Sequence, residues 1–179
     1  MAEQMFEKKA PVASTRVAVH VFLLREDRVL LTRRGPGAAY AAGSWHAGVA
    51  GKVDPGEDVV SATVRESGEE LGVGVDPVDL EFAHVLHSGE GGQDWVNFFF
   101  SCRNWSGTPV NNEPHKHAEI GWWPVGRPPR DMVGYCARAL EHTLAGVPFS
   151  LYGTAAAFPV PAVPDAHAGG RRPPAPSGR

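Results

Sequence analysis

The 179-residue sequence predicts an α+β domain, and three observations carry that reading. Two apolar runs near the N-terminus have strand composition and a turn between them. An acidic stretch at 59–71 has helix start and stop signals. Further strand-like runs follow, and the last periodic segment, around 132–144, is helical in spacing.

In chain order, Met1 to Lys9 is polar, and 1–14 reads as a flexible lead-in without a secretory signal. Val17 to Leu24 is rich in Val, Leu and Phe and predicts a buried strand. Arg25-Glu26-Asp27 turns the chain into a second strand, Val29 to Arg33. His20 in the first run reads as a satisfied core or edge histidine. Arg33 and Arg34 end the second strand beside a Gly/Ala loop, where either a solvated pair or a contact to substrate phosphate is consistent with the residues. After the acidic helix, Leu80 to His87 and Trp95 to Cys102 predict strands on either side of a Gly-rich polar loop. Phe98, Phe99 and Phe100 stand in a row, which places aromatics on both faces and implies a strand covered on both sides. One of these aromatics, or Trp95 or Tyr40, could instead stack on a base. Pro128-Pro129 start a final helix, in which Met132, Cys136, Ala139, Leu140, Thr143 and Leu144 recur at helical spacing. From 151 to 179 the chain is Ala, Pro, Gly and Arg without periodicity and reads as a disordered tail.

The chemistry concentrates between Gly51 and Gly72. Lys52 to Glu57 is a Pro/Gly loop, Asp58 is placed to cap a helix, and Gly72 is placed to stop it. Glu66, Glu69 and Glu70 stand at i, i+3 and i+4, one turn apart on one side of that helix, where like charges repel. A solvated acidic face accounts for three such residues alone. The whole pattern is more demanding: Gly51, five residues, Glu57, seven residues, Arg65-Glu66, two residues, Glu69-Glu70, one residue, Gly72. At about 0.07 per fixed position, it recurs by chance in roughly one chain in a million. It resembles the Nudix box of the Nudix hydrolase superfamily, in its MutT-like form. Ser67 stands where the family usually has an apolar residue, and Gly68 costs helix stability, so weakened packing is expected there. The lead-in from Trp45 to Gly51 keeps only the last Gly of the usual step.

A second stretch, Asn111 to Pro124, resembles the Glu-Pro-x-Lys segment and Trp-aromatic pair of MutT-like proteins. The resemblance implies an α/β/α sandwich, a mixed sheet between helices, over about residues 15–150. It also implies a Mg2+ (or Mn2+) cofactor. Glu66, Glu69 and Glu70 would be metal ligands, with Glu66 or Glu69 as catalytic base. Arg65 would orient a glutamate, Glu57 would support it, and the Gly51 carbonyl would be a further ligand. Glu113, favoured over Glu119, would add a carboxylate to the metal cluster, and Lys116 with Arg33 and Arg34 would contact substrate. His115 and His117 lie in a polar loop, and Mg2+ prefers oxygen ligands to imidazole.

The implied reaction is hydrolysis of a diphosphate bond in a nucleoside triphosphate or another nucleoside diphosphate linked to some moiety. The alternatives are a nucleotide sugar or non-nucleotide diphosphate, or a non-catalytic ligand sensor. MutT-like enzymes often read the base with an Asn near the last helix, and no Asn follows Asn112, so the sequence gives no support for oxidised-guanine specificity. The Cys motif of an isopentenyl-diphosphate isomerase is absent. A net charge of −3 argues against nucleic acid as partner, and no apolar run is long enough for a membrane. Cys102 and Cys136, the only cysteines, lack zinc or CxxC spacing and read as reduced core thiols. The expectation is a cytoplasmic protein, with a homodimer compatible with the family's habit of pairing.

Overall fold

The computed structural model describes residues 15–89 and 94–153. The lead-in, most of the tail and the middle of the 88–94 loop lie outside these residues. Two helices cover the two faces of a mixed sheet of eight strands, as an α/β/α sandwich requires.

The centre of the sheet is β1 (Arg16–Arg25), buried from Ala18 to Leu24. It turns through Glu26, at φ 54°, into β2 (Arg28–Arg34). Trp45–Ala47 (β3) and Val49–Lys52 (β4) then pair antiparallel with β2 and β1 respectively. After α1 (Val59–Leu71) come β5 (Leu80–Ser88) and β6 (Trp95–Cys102). β6 lies parallel to β1, with Arg16 opposite Trp95 and Leu23 opposite Cys102. β7 (His117–Pro124) pairs with β2, α2 spans Gly134–Leu144, and β8 (Phe149–Tyr152) lies parallel to β5.

The period-2 alternation of β1 divides the core. Val19, Val21 and Leu23 pack on the α1 side with Leu71 and Ala62, whereas Phe22 and Leu24 pack on the α2 side with Cys136, Ala139 and Leu140. The Phe row behaves as its alternation implies: Phe99 joins the α2 core, and Phe98 and Phe100 join the α1 side. Cys102 and Cys136 are free and buried.

Helix α1 begins and ends where its sequence signals stand. Asp58 accepts hydrogen bonds from the backbone N–H groups of Val60 (2.8 Å) and Ser61 (2.9 Å), and Gly72 closes the helix at φ 65°. Ser67 does not loosen the packing. It is fully buried, and its hydroxyl donates to the Thr63 carbonyl at 2.7 Å, which satisfies the polar group inside the helix.

The structure differs from the sequence reading in four places. Trp45 to Lys52 forms two short strands, split at Gly48, where an added Cβ would meet the Leu30 carbonyl at 2.8 Å. Residues 117–124 are a strand, although only half-buried and without clean alternation, because β2 offers them a full ladder. The last helix begins at Gly134, not at Pro128-Pro129. The preceding segment is tied to β3 instead, with Trp45 N–H donating to Asp131 and Val133 N–H donating to Trp45. Finally, β8 carries the domain to Tyr152, two residues past the expected end.

Replacing Asp58 by Ala removes the oxygen that accepts both cap hydrogen bonds and is expected to cost about 1 kcal/mol of stability, read as a lower urea midpoint at unchanged slope.

Candidate active site

The end of β4, the start of the 52–57 loop and one side of α1 meet at a cavity of about 630 Å³. Its wall includes Gly51, Arg65, Glu66, Glu70, Lys116 and His117, and on its other side His20, His46, Asn97 and Tyr135.

The acidic part is held together by Arg65. Its Nε and Nη2 donate to the two carboxylate oxygens of Glu57, at 2.9 and 3.0 Å. Its Nη1 donates to Glu66 (2.9 Å) and Glu69 (3.1 Å), and its Nη2 also reaches the Lys52 carbonyl at 3.1 Å. These bonds, those from Glu57 above all, hold the Arg65 guanidinium pKa above its ordinary value. The Glu57 carboxyl is held below its usual range chiefly by the Arg65 hydrogen bonds.

Glu66 and Glu70 are buried, 40° apart around the helix as i and i+4 must be. Glu66 rests against Gly51 so closely that a Cβ there would collide with its carboxylate and force the Glu66 side chain to move. Burial raises the Glu66 carboxyl above its usual range, and Glu70 and Glu69 push in the same direction against Arg65. Glu70 accepts from the Ala50 N–H at 2.9 Å and stands 3.2 Å from His117 Nε2. Glu69, at i+3, falls on the other flank of the stripe. It is half exposed, bonded to Arg65, and does not line the cavity.

The loop that follows β6 is laced to the end of α1. Asn112 donates from its backbone to the Glu70 carbonyl and from its side chain to the Glu69 carbonyl. This brings Glu113 and His117 to Glu70, with one ligand atom from each of the three within 4.8 Å of the others. Glu113 also pairs with Lys116 at 2.8 Å. Glu119, by contrast, pairs with Arg33 at 3.0 Å. Consecutive strand residues point to opposite faces. Arg34 therefore lines the cavity, while Arg33 turns away to Glu119 and the Gly43 carbonyl. Lys116 lines the cavity, and so do Tyr40 and Trp95. Carboxylate oxygens from Glu70 and Glu113 are placed to hold a divalent cation, with Glu66 lining the same cavity, and two buried polar atoms of the 111–117 loop, Asn111 Oδ1 and His117 Nδ1, have no hydrogen-bond partner among the described residues.

The second part of the wall escaped the sequence reading. The Asn97 amide donates to the Leu86 carbonyl (3.2 Å) and Ser88 Oγ (3.3 Å), so its oxygen faces His20 Nε2 at 3.1 Å. That pairing assigns the His20 proton to Nε2. His20 stacks on Phe99 with ring centres 4.4 Å apart, and burial lowers its pKa to about 4. His46, buried and likewise held neutral chiefly by desolvation, bonds Tyr135 at 2.8 Å. Cys136 lies close to both rings, but burial pushes its thiol up to about 12, which leaves it a protonated core group. This wall is uncharged apart from Arg34 and rich in rings. It draws on β1, β3, β6 and α2, so no local motif announces it; the isolated polar residues His20 and Asn97 within apolar strands were its only signal.

The fold and the box have counterparts. A model of the NUDIX domain family matches residues 14–138. The mouse protein named 8-oxo-dGDP phosphatase NUDT18 is 32% identical over 110 residues, 60% of this chain. Its human counterpart of the same name is 36% identical over 124 residues, 66% of this chain. The matched segments span 32% and 36% of those relatives, about a third of their length. Among solved structures, a MutT NUDIX hydrolase from Burkholderia pseudomallei superposes with a TM-score of 0.66 at 30% identity, covering 72% of this chain and 98% of that one. A MutT protein from Methanosarcina mazei shares the fold at a TM-score of 0.62 and 20% identity, covering 76% of this chain and 97% of that one.

The buried His20 ties stability to pH. The unfolded ring takes a proton near 6.5, whereas the folded ring does so only near 4, so between those values the unfolded chain binds the extra proton. Stability from this source is complete above about pH 6.5 and is lost as pH falls toward 4, by on the order of 3 kcal/mol. Denaturant titrations at pH 7 and pH 4 are expected to show a smaller acid loss for His20→Gln than for the unaltered chain. With Gly51 packed directly against the Glu66 carboxylate, an Arg65 tied to Glu57, Glu66 and Glu69, and a family match over residues 14–138, the chain belongs to the NUDIX domain family.

Proposed function

We propose that this chain is a cation-dependent hydrolase of nucleoside diphosphates, cutting the phosphoanhydride bond to give a nucleoside monophosphate and phosphate. The observation that carries the reading is one cavity with two unlike walls: Glu66, Glu70 and Lys116 on one side, and neutral His20, His46, Asn97 and Tyr135 on the other. A nucleotide has the same polarity, with charged phosphates at one end and an uncharged heteroaromatic base at the other. The names of the two NUDT18 relatives support a nucleoside diphosphate over a triphosphate and raise an oxidised purine as candidate base. Asn97 also lines the cavity, although its amide is bonded to His20, Leu86 and Ser88.

A bound Mg2+ or Mn2+ would neutralise phosphate charge, position the diphosphate and lower the pKa of a bound water. Glu66, Glu70 and Glu113, with the Gly51 carbonyl, are the groups that would hold it. Glu66 is the better base for the attacking water, because it lines the cavity, whereas Glu69 does not. Arg65 fixes the Glu66 carboxylate for that transfer. Arg34 and Lys116 supply positive charge to the phosphates.

The test is a panel of canonical and 8-oxo nucleoside di- and triphosphates, nucleotide sugars and dinucleotides, with Mg2+ or Mn2+ and products identified by mass. Diphosphates are expected to turn over fastest, chelator is expected to abolish turnover, and Glu66→Gln is expected to lower kcat by at least about a hundredfold. Turnover of nucleotide sugars alone would refute the nucleoside-diphosphate reading. Ligand binding without turnover of any compound would refute the hydrolase reading itself.

A further inference from the structure

We propose that His117 is a nitrogen ligand to the divalent cation held by Glu70 and Glu113, which gives this chain a mixed nitrogen and oxygen site that favours a transition cation such as Mn2+ over Mg2+. The inference rests on the reading of the site as cation-dependent and adds to it a donor of a different kind.

Four observations lead there. First, His117 is presented rather than exposed by accident. It is the first residue of β7, its N–H donates to the Glu113 carbonyl at 3.0 Å, and its own carbonyl accepts from the Asn111 side chain at 2.8 Å. The same loop is bonded to the Glu69 and Glu70 carbonyls through Asn112. The imidazole is therefore fixed relative to the box helix by both ends of its loop. Second, its Nε2 is 3.2 Å from Glu70 Oε1. Adjacent ligands of an octahedron with bonds of about 2.1 Å are separated by about 3.0 Å, so the two atoms that share a proton here are spaced to share a cation. Third, ligand atoms of Glu70, Glu113 and His117 lie within 4.8 Å of one another, and Glu70 and His117 both line the cavity. Fourth, Asn111 Oδ1 is buried with no partner among the described residues, so this loop holds an oxygen acceptor that its own bonds do not use.

The chemistry gives the direction of the preference. Mg2+ takes oxygen ligands and keeps its waters, whereas imidazole is a donor to first-row transition cations. Binding through Nε2 leaves the ring proton on Nδ1, so the imidazole stays neutral and adds no charge to the site. Glu70 and Glu113 supply the anionic oxygens. The interpretation of His117 from residue type alone, as a polar-loop histidine passed over by Mg2+, omits that the fold sets it against Glu70.

Pulsed electron paramagnetic resonance on Mn2+ bound to the full chain tests this, with natural-abundance and 15N-histidine protein. A directly bound nitrogen is expected, changing isotope pattern with the labelled histidine and disappearing in His117→Gln but not in His46→Gln. In parallel, His117→Gln is expected to raise the Mn2+ Kd about tenfold and the Mg2+ Kd less than about threefold. The labelled unaltered chain reports nitrogen coordination even if a variant folds poorly. Mn2+ bound with no nitrogen coupling, but lost in Glu70→Gln, would overturn the assignment alone and leave His117 a prop for Glu70. No Mn2+ bound to the unaltered chain would overturn both this assignment and the cation-dependent reading beneath it.

Discussion

The site depends on one guanidinium. Three acidic side chains on α1 and a fourth on the preceding loop would repel one another, and Arg65 spends its donors on them: two to Glu57, one to Glu66, one to Glu69, and one more to the Lys52 carbonyl. A lysine could neutralise the charge but could not hold this geometry, because a planar fork with fixed donor directions sets the angles as well as the sign. Through Glu57 and Lys52 the clamp ties the loop after β4 to the helix, and through Glu66 it sets a carboxylate against Gly51. Glu66, which lines the cavity, is thus placed by a residue whose own bonds are all to protein, while Glu70 is held separately by the Ala50 N–H and His117.

The sheet does the rest by alternation. β1 sends Val19, Val21 and Leu23 to the α1 core and His20 to the opposite face, where it meets Asn97 from β6 and the His46–Tyr135 pair. Burying two imidazoles is tolerable because both are neutral and both have hydrogen-bond partners. The same burial that lowers their proton affinity raises that of Glu66. One cavity therefore holds bases with opposite displacements: rings that resist protonation beside a carboxylate that accepts it more readily.

What the sequence made legible was local. The Asp58 and Gly72 caps bounded α1 to the residue, and the row Phe98 to Phe100 gave a strand buried on both faces, because both signals act within a few residues. Gly51 stood out by spacing, although its steric reason is a contact with Glu66 that only the fold reveals. Strands β3, β4, β7 and β8 were not legible, since each is short or half-buried and exists because a longer neighbour offers it a ladder. The candidate site divides the same way. Helical spacing put Glu66, Glu69 and Glu70 together, but the roll of the helix decides which two face the cavity. Arg33 and Arg34 were equal in sequence and were separated by the pleat. His46, Asn97 and Tyr135 come from three distant segments, and nothing in their local pattern links them.

The central claim is that Arg65 and Glu57 act as one unit to hold the Glu66 carboxylate. A double-mutant cycle with Arg65→Lys, Glu57→Gln and the pair together, read as kcat/KM on the best diphosphate substrate and checked by thermal melts, tests it directly. The account expects each single variant to lose at least about tenfold and the double variant to be within about threefold of the worse single, because either change releases the same clamp. Losses that multiply in the double variant, with all the proteins folded, would mean that the two residues serve the reaction independently and would contradict it.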